Sequence, residues 1–278
     1  MNIYDFKHTI KKSSLGEKIY LIWYMFGRMQ DNKNLSKYQK KNYPEEIRKY
    51  KDIATRRRCF VIGNGPSLTL SDLEYLREED TFAANRIYGA FKKTEWRPQY
   101  YCCQDGSVIR DVISDIDIIL KDIPNIFFNF LGFLENKLPL IDMKNIHYIY
   151  SSFRQGQVNS IEFSEDCSHH LGGSMTVTYA MIQLAVYMGY KEIYLLGIDH
   201  NYSISRDQKI QNNSYADFIM KKDMSKYNLP HLDEATLAYI KAKEVCEAKN
   251  IVIKNATRGG KLEVFERITL EDIFNSRE

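Results

Sequence analysis

No apolar stretch in this 278-residue chain stands out as long enough to cross a bilayer. The run from Ile19 to Phe26 (Ile-Tyr-Leu-Ile-Trp-Tyr-Met-Phe) falls far short of the roughly twenty residues a spanning helix needs. The opening residues also lack an apolar segment followed by a small-residue cleavage site, so no secretory leader is expected. Cysteine is scarce and odd in number. Cys59, Cys102, Cys103, Cys167 and Cys246 have no metal-ligand spacing, so buried free thiols in a reducing compartment are the expectation. That gives a cytoplasmic location, with attachment to the inner face of the cell membrane as an open extension. A dominant charge is missing too: 39 Lys and Arg face 36 Asp and Glu, which argues against a dedicated nucleic-acid binder. Gly and Pro are rare in residues 1–55.

What is present begins with Cys59-Phe60-Val61-Ile62-Gly63-Asn64-Gly65-Pro66-Ser67-Leu68. An apolar run ends in a glycine-rich turn, as when a buried parallel strand delivers the chain to an anion-binding loop. The turn is neither G-x-G-x-x-G nor a Walker A loop. The glycines allow close backbone approach and positive φ, Asn64 and Ser67 add side-chain donors, and the loop is expected to open toward a helix N-terminus near residue 71.

Beyond residue 58 strands and helices alternate. Strands are expected at 58–63, 81–85, 100–103, 125–130, 146–150, 192–196 and 250–254. Helices are expected near 71–77, 107–114, 174–189 and 233–249. This is an α/β pattern: a Rossmann-like, mainly parallel sheet with helices on both faces, plus an N-terminal helical extension. Residues 1–55 form the basic extension. Residues 56–278 form the α/β domain, with the polar stretch 200–232 as a lid over its strand ends. In the extension, Ile10, Leu15, Ile19, Ile22, Trp23 and Phe26 recur with helical rhythm, followed by a charged helix or linker near 34–53. The apolar stripe suits packing on its own domain, a peripheral membrane contact through residues 1–58, or a homo-oligomer contact.

Ligands of such sheets bind past the C-terminal strand ends, and the polar candidates stand there. Asn85 carries an amide that reads both donors and acceptors. Asp105 is a ribose or metal ligand, or a plain turn residue. Gly172, Gly173 and Ser174 open a helix and make a second anion site. Asp199 closes Gly197-Ile198-Asp199, and no second aspartate stands two residues from it. Of six histidines, His231 in Leu229-Pro230-His231-Leu232-Asp233 is the favoured general base, as an imidazole on a loop expected to face the site.

Val61-Ile62-Gly63-Asn64-Gly65-Pro66-Ser67-Leu68, Asn85 in Ala84-Asn85-Arg86-Ile87-Tyr88, and Gly189-Tyr190-Lys191-Glu192-Ile193-Tyr194-Leu195-Leu196-Gly197-Ile198-Asp199 together resemble the bacterial lipooligosaccharide sialyltransferases. They are similar also to the wider group of motility-accessory glycosyltransferases and hydroxymethylpterin diphosphokinase-like (MptE-like) proteins. The resemblance runs over about residues 58–258. It implies a modified Rossmann sheet, a CMP-linked sialic acid as donor, no cofactor or metal, and a loop histidine as base. Carried over, it puts Gly63, Asn64, Gly65 and Ser67 along the ribose and phosphate, and Asn85 on the nucleotide or donor sugar. Gly172, Gly173 and Ser174 hold the base and sugar carboxylate, Tyr215 donates to the departing phosphate, and His231 is the base. The second phosphate tyrosine falls on Tyr202. A family asparagine meets Gln104 or Asp105 here, and Gly-Gly-Ser replaces Thr-Ser-Gly.

The resulting expectation is an inverting, metal-independent glycosyltransferase taking a nucleotide-sugar donor and a surface-glycan acceptor. Two alternatives stay open: Mg²⁺-dependent pyrophosphoryl transfer to a pterin alcohol, with Asp105 and Asp199 on the metal, and a non-catalytic nucleotide-sugar-binding protein.

Overall fold

The computed structural model describes residues 14–152, 161–174, 176–202, 215–219 and 231–275. Ile10, and most of the 200–232 segment expected to act as a lid, fall outside them.

Two helices, α1 (Ser14–Gln39) and α2 (Tyr43–Arg48), lead into β1 (Arg58–Ile62). Then follow α3 (Leu70–Tyr75), β2 (Thr81–Ala84), a 3-10 turn (Asn85–Ala90), β3 (Tyr100–Cys103), α4 (Gly106–Ile113), α5 (Ile116–Asp122), β4 (Asn125–Asn129), α6 (Phe130–Glu135) and β5 (Ile146–Ile149). After the short β6 (Ser151–Ser152) and β7 (Leu171–Gly172) come α7 (Val177–Tyr187), β8 (Glu192–Leu196), α8 (Leu232–Ala248), β9 (Val252–Asn255), β10 (Glu266–Arg267) and α9 (Leu270–Asn275).

The sheet order is β10-β9-β8-β1-β2-β3-β4-β5, and every described pairing is parallel. The strands are buried nearly throughout, as a sheet covered on both faces requires. The two-residue period of β1 sorts its side chains. Phe60 and Ile62 join a core with α3, α4, α5, α6 and α9, while Cys59 and Val61 join one with α7 and α8. All five cysteines are free and buried. Burial pushes their thiols up, so they are inert apolar filling.

Helix α1 forms where expected but presents the opposite side to the domain. The buried residues are Tyr20, Tyr24, Asp31, Asn34, Leu35 and Tyr38, while Ile19, Ile22 and Phe26 face outward. Hydrogen bonds explain the choice. The Tyr150 hydroxyl donates to Asp31 Oδ1 (2.7 Å), and the Tyr38 hydroxyl donates to the Ser168 carbonyl (3.3 Å). The segment after α2 is tied in as well, since the Asp52 and Ala54 N–H groups donate to the Tyr187 and Met188 carbonyls. The segment near 34–53, expected as a charged helix or a linker, is helical over most of its length.

Candidate active site

Leaving β1, the chain builds outward through β2 to β5, then returns to lay β8 on the other side of β1. This reversal opens a crevice at the C-terminal strand ends, the usual ligand position in such sheets. A cavity of about 560 Å³ lies there. Its lining includes Gly63, Asn64 and Gly65 after β1, Asn85 after β2, Gln104 and Asp105 after β3, and Gly173 and Ser174 before α7. Asp199 and Tyr202 after β8, then Tyr215 and His231, complete the expected set. Ser67 and Gly172 stand outside the lining.

The loop after β1 is shaped by its neighbour. A Cβ at Gly65 would lie 1.9 Å from Asp199 Oδ2 and 2.8 Å from the Gly197 carbonyl oxygen. Glycine is required for this close approach, not for positive φ, which neither Gly63 nor Gly65 has. The Gly65 N–H donates to the Gly197 carbonyl (2.9 Å), and the Ser67 hydroxyl donates to Asp199 Oδ2 (2.7 Å). Ser67 thus fixes Asp199 rather than meeting the cavity. Burial raises the Asp199 pKa, and the two Ser67 hydrogen bonds work against that rise.

The expected anion site at the following helix is closed. Helix α3 starts at Leu70, with Thr69 and Asp72 in a reciprocal cap, and Arg258 grips the Asp72 carboxylate at 2.6 and 2.7 Å. The first turn is therefore already satisfied and carries a carboxylate. The second expected anion site shifts likewise. Thr176 caps α7, whose first residue is Val177, so Gly173 and Ser174 lie a turn ahead of it. Gly172 is clamped by the buried Gln183, which accepts from its N–H at 2.8 Å and donates to its carbonyl at 2.9 Å. Asp105 is the cap of α4, accepting from the Ser107 N–H at 2.7 Å.

The two asparagines have unspent acceptors. Asn64 donates through Nδ2 to the Ala84 carbonyl (3.1 Å), and its Oδ1 is buried without a partner. Asn85 sits at φ +56°, with its carbonyl accepting from the Tyr101 hydroxyl and its Oδ1 likewise buried and unpaired. A buried orphan amide oxygen in a cavity wall awaits a donor from a ligand.

Tyr202 and Tyr215 meet edge to face, with centroids 6.1 Å apart. Burial raises both hydroxyl pKa values, so both remain protonated donors at neutral pH. His231 occupies the cap position of α8 but makes no side-chain cap bond.

Sequence reasoning passed over several lining residues, among them Arg86, Asn129 and His200. Arg86, 5% exposed and bonded to Asp111 at 2.6 Å, is the one Lys or Arg of the lining among the described residues. Asn129 caps α6 and ties the Ser151 backbone to the end of β4. His200, at φ +50°, approaches Thr236 Oγ1 at 2.8 Å. The Thr236 hydroxyl donates to the Leu232 carbonyl, so His200 Nε2–H is the donor to Thr236. Burial lowers the His200 pKa, and the Asp233 carboxylate opposes that shift. Its position directly after Asp199 was the available signal.

The profile of the family described as 6-hydroxymethylpterin diphosphokinase MptE-like matches residues 31–205. The chain belongs to the MptE-like family. No curated protein matches its sequence. Among solved structures it is similar to the sialyltransferase CstII from Campylobacter jejuni, solved with a substrate analogue, cytidine-5'-monophosphate. That pair shares 18% identity over 78% of this chain and 86% of the other, with a TM-score of 0.45. The α-2,3-sialyltransferase from the same organism gives 18% identity, 80% and 84% coverage, and a TM-score of 0.46. The MAf glycosyltransferase from Magnetospirillum magneticum AMB-1 gives 12% identity over 81% of this chain and a TM-score of 0.48. This chain spans only 38% of that protein.

Proposed function

We propose that this member of the MptE-like family is an inverting glycosyltransferase that uses a CMP-linked, sialic-acid-like donor and a glycan acceptor. The carrying observation is the Tyr202–Tyr215 pair, two phenols held protonated on the cavity that His231 also lines. In this reading His231 accepts the acceptor hydroxyl's proton as that oxygen attacks the anomeric carbon. The bond from that carbon to the CMP phosphate breaks, and the two tyrosine hydroxyls donate to the phosphate as its charge grows. Gly63, Asn64 and Gly65 would lie along the nucleotide, with the orphan Asn64 and Asn85 oxygens taking its donors. Gly173 and Ser174 would hold the base and sugar carboxylate, and Gln104 would contact the nucleotide. Arg86 adds a cation for the anionic ligand. Catalysis is assigned to residues 56–278, with 1–55 as an addition. The cavity size falls within the range of small-molecule sites.

A second reading, Mg²⁺-dependent pyrophosphoryl transfer to a pterin alcohol, is favoured by the family description and by Asp105 and Asp199 both lining the cavity. Both carboxylates have prior duties, however, Asp105 as the α4 cap and Asp199 as the acceptor for Ser67. Thermal-shift measurements with CMP, CDP, UDP, GDP and ATP, each with and without Mg²⁺, separate the two. Stabilisation by CMP without metal supports sugar transfer. Stabilisation by ATP with Mg²⁺ alone would sink it in favour of the second reading. A protein that binds CMP but turns over no CMP-sugar donor, with hydrolysis and transfer both followed, would be a binding protein only.

A further inference from the structure

The side of α1 turned away from the domain changes character along its length. Ile19, Leu21, Ile22, Met25, Phe26 and Met29 are between 44% and 67% exposed. At about 100° per residue they share one broad stripe, opposite Tyr20, Tyr24 and Tyr38 on the buried side. Continued toward the C-terminus, the same stripe carries Lys33, Lys37 and Lys40, all exposed, and Lys18 stands at its other end. From Lys18 to Pro44 the sequence has one acidic residue, Asp31, and it is buried against Tyr150. Half-buried Trp23 flanks the apolar part.

Two occupants compete for such a face: a second copy of the chain, or a lipid surface. A second copy would bring the same lysines against their like, and from Lys18 to Pro44 the one carboxylate, Asp31, is buried. An anionic lipid surface complements both halves. The apolar half inserts among the upper acyl chains, and the lysines meet the headgroups. We propose that α1 is an interfacial helix that docks this protein on membranes bearing anionic lipids.

The test is flotation of the full chain with phosphatidylcholine vesicles and with vesicles holding about one third phosphatidylglycerol. The full chain should float with the anionic vesicles and bind the neutral ones much more weakly. Ile22→Asp combined with Phe26→Asp should abolish flotation while leaving the circular dichroism spectrum and melting curve unchanged, since both side chains are exposed. Lys33→Gln, Lys37→Gln and Lys40→Gln should each weaken anionic-vesicle binding by about fivefold and leave neutral-vesicle binding unchanged. Sedimentation velocity of the same proteins supplies the opposing result. A dimer that does not float, and that Ile22→Asp with Phe26→Asp converts to monomer, would overturn the proposal, as would full-chain protein that stays unbound to anionic vesicles. None of these readouts uses CMP or turnover, so failure here and failure of the enzymatic reading are separate outcomes.

Discussion

The ring of Tyr202 meets that of Tyr215 edge to face across 6.1 Å, with their planes 70° apart. One residue follows the end of β8, while the other begins the described segment Tyr215–Ile219, whose Ala216 N–H donates to the Asn64 carbonyl. The pair is thereby linked to the loop after β1. Burial holds both phenols in their protonated form.

If both donate to a departing phosphate, their loss should appear in turnover rather than in donor affinity. Tyr202→Phe and Tyr215→Phe should each lower kcat by about 10²-fold with a small change in KM. The double variant should lose less than the product of the two, because the hydroxyls serve one charge. Steady-state kinetics with a CMP-sugar donor measures this. A rise in KM at unchanged kcat would reassign the pair to ground-state binding.

Two imidazoles line the cavity. His200 is fixed through Nε2 to Thr236 and stacks edge to face on Tyr239, and His231 stands at the start of α8. His231→Ala should lower kcat/KM by about 10²- to 10⁴-fold while the CMP-induced thermal shift persists. His200→Gln should cost less than His231→Ala in turnover and should lower the melting temperature instead. The reverse pattern would move the base to His200.

Strands β1 to β5, β8 and β9 were legible because each is an apolar run ended by a turn residue, whereas the two-residue β6, β7 and β10 carry no such run. The cavity lining was legible at Asn64 and Asn85 because each stands at the end of such a run. Arg86 was not, since an Arg beside a strand end reads as solvated until Asp111, from α4, pairs with it. Gly65 was recognised as a loop glycine, but its cause is Asp199, more than a hundred residues away in sequence. The orientation of α1 was hidden for a related reason. Periodicity shows which residues share a side, but the side the domain takes was decided by Tyr150 bonding Asp31. Of the options left open for the apolar stripe, packing on its own domain is the one the structure removes.

Asn85 offers a way to separate binding from folding. Its backbone is left-handed at φ +56°, a conformation that glycine adopts freely, and its Oδ1 makes no bond within the protein. Asn85→Gly removes the amide without straining the chain. The melting temperature of the free protein should hold or rise, and CMP affinity should fall by about tenfold. Asn85→Ala should lose affinity similarly but melt lower, with about 1 kcal/mol of left-handed strain. Calorimetric binding and melting curves on the two variants give both numbers. Unchanged CMP affinity in Asn85→Gly would show that the amide faces no nucleotide.

His147, far along the sheet on β5, governs acid stability. Burial pushes its pKa down to about 4, assisted by Lys49 and opposed by Glu46. Nε2 lies 2.7 Å from the Tyr50 hydroxyl, which donates in turn to Asn125 Oδ1 at 2.6 Å, and Nδ1 is buried without a partner. The unfolded chain protonates this imidazole near pH 6.5 and the folded chain only near pH 4, so in that window the unfolded state binds more protons. The neutral histidine's contribution is complete above about pH 6.5 and declines as acid is added, by up to about 3 kcal/mol at pH 4. His147→Gln removes the titration while keeping an amide donor for Tyr50. Relative to the unsubstituted protein the variant should be less stable at neutral pH, and the gap should close, then reverse, as the pH falls. Urea midpoints measured from neutrality down to pH 4 follow the difference, from which the shared titration of the carboxylates cancels. A gap that stays constant across that range would exclude His147 as the group responsible.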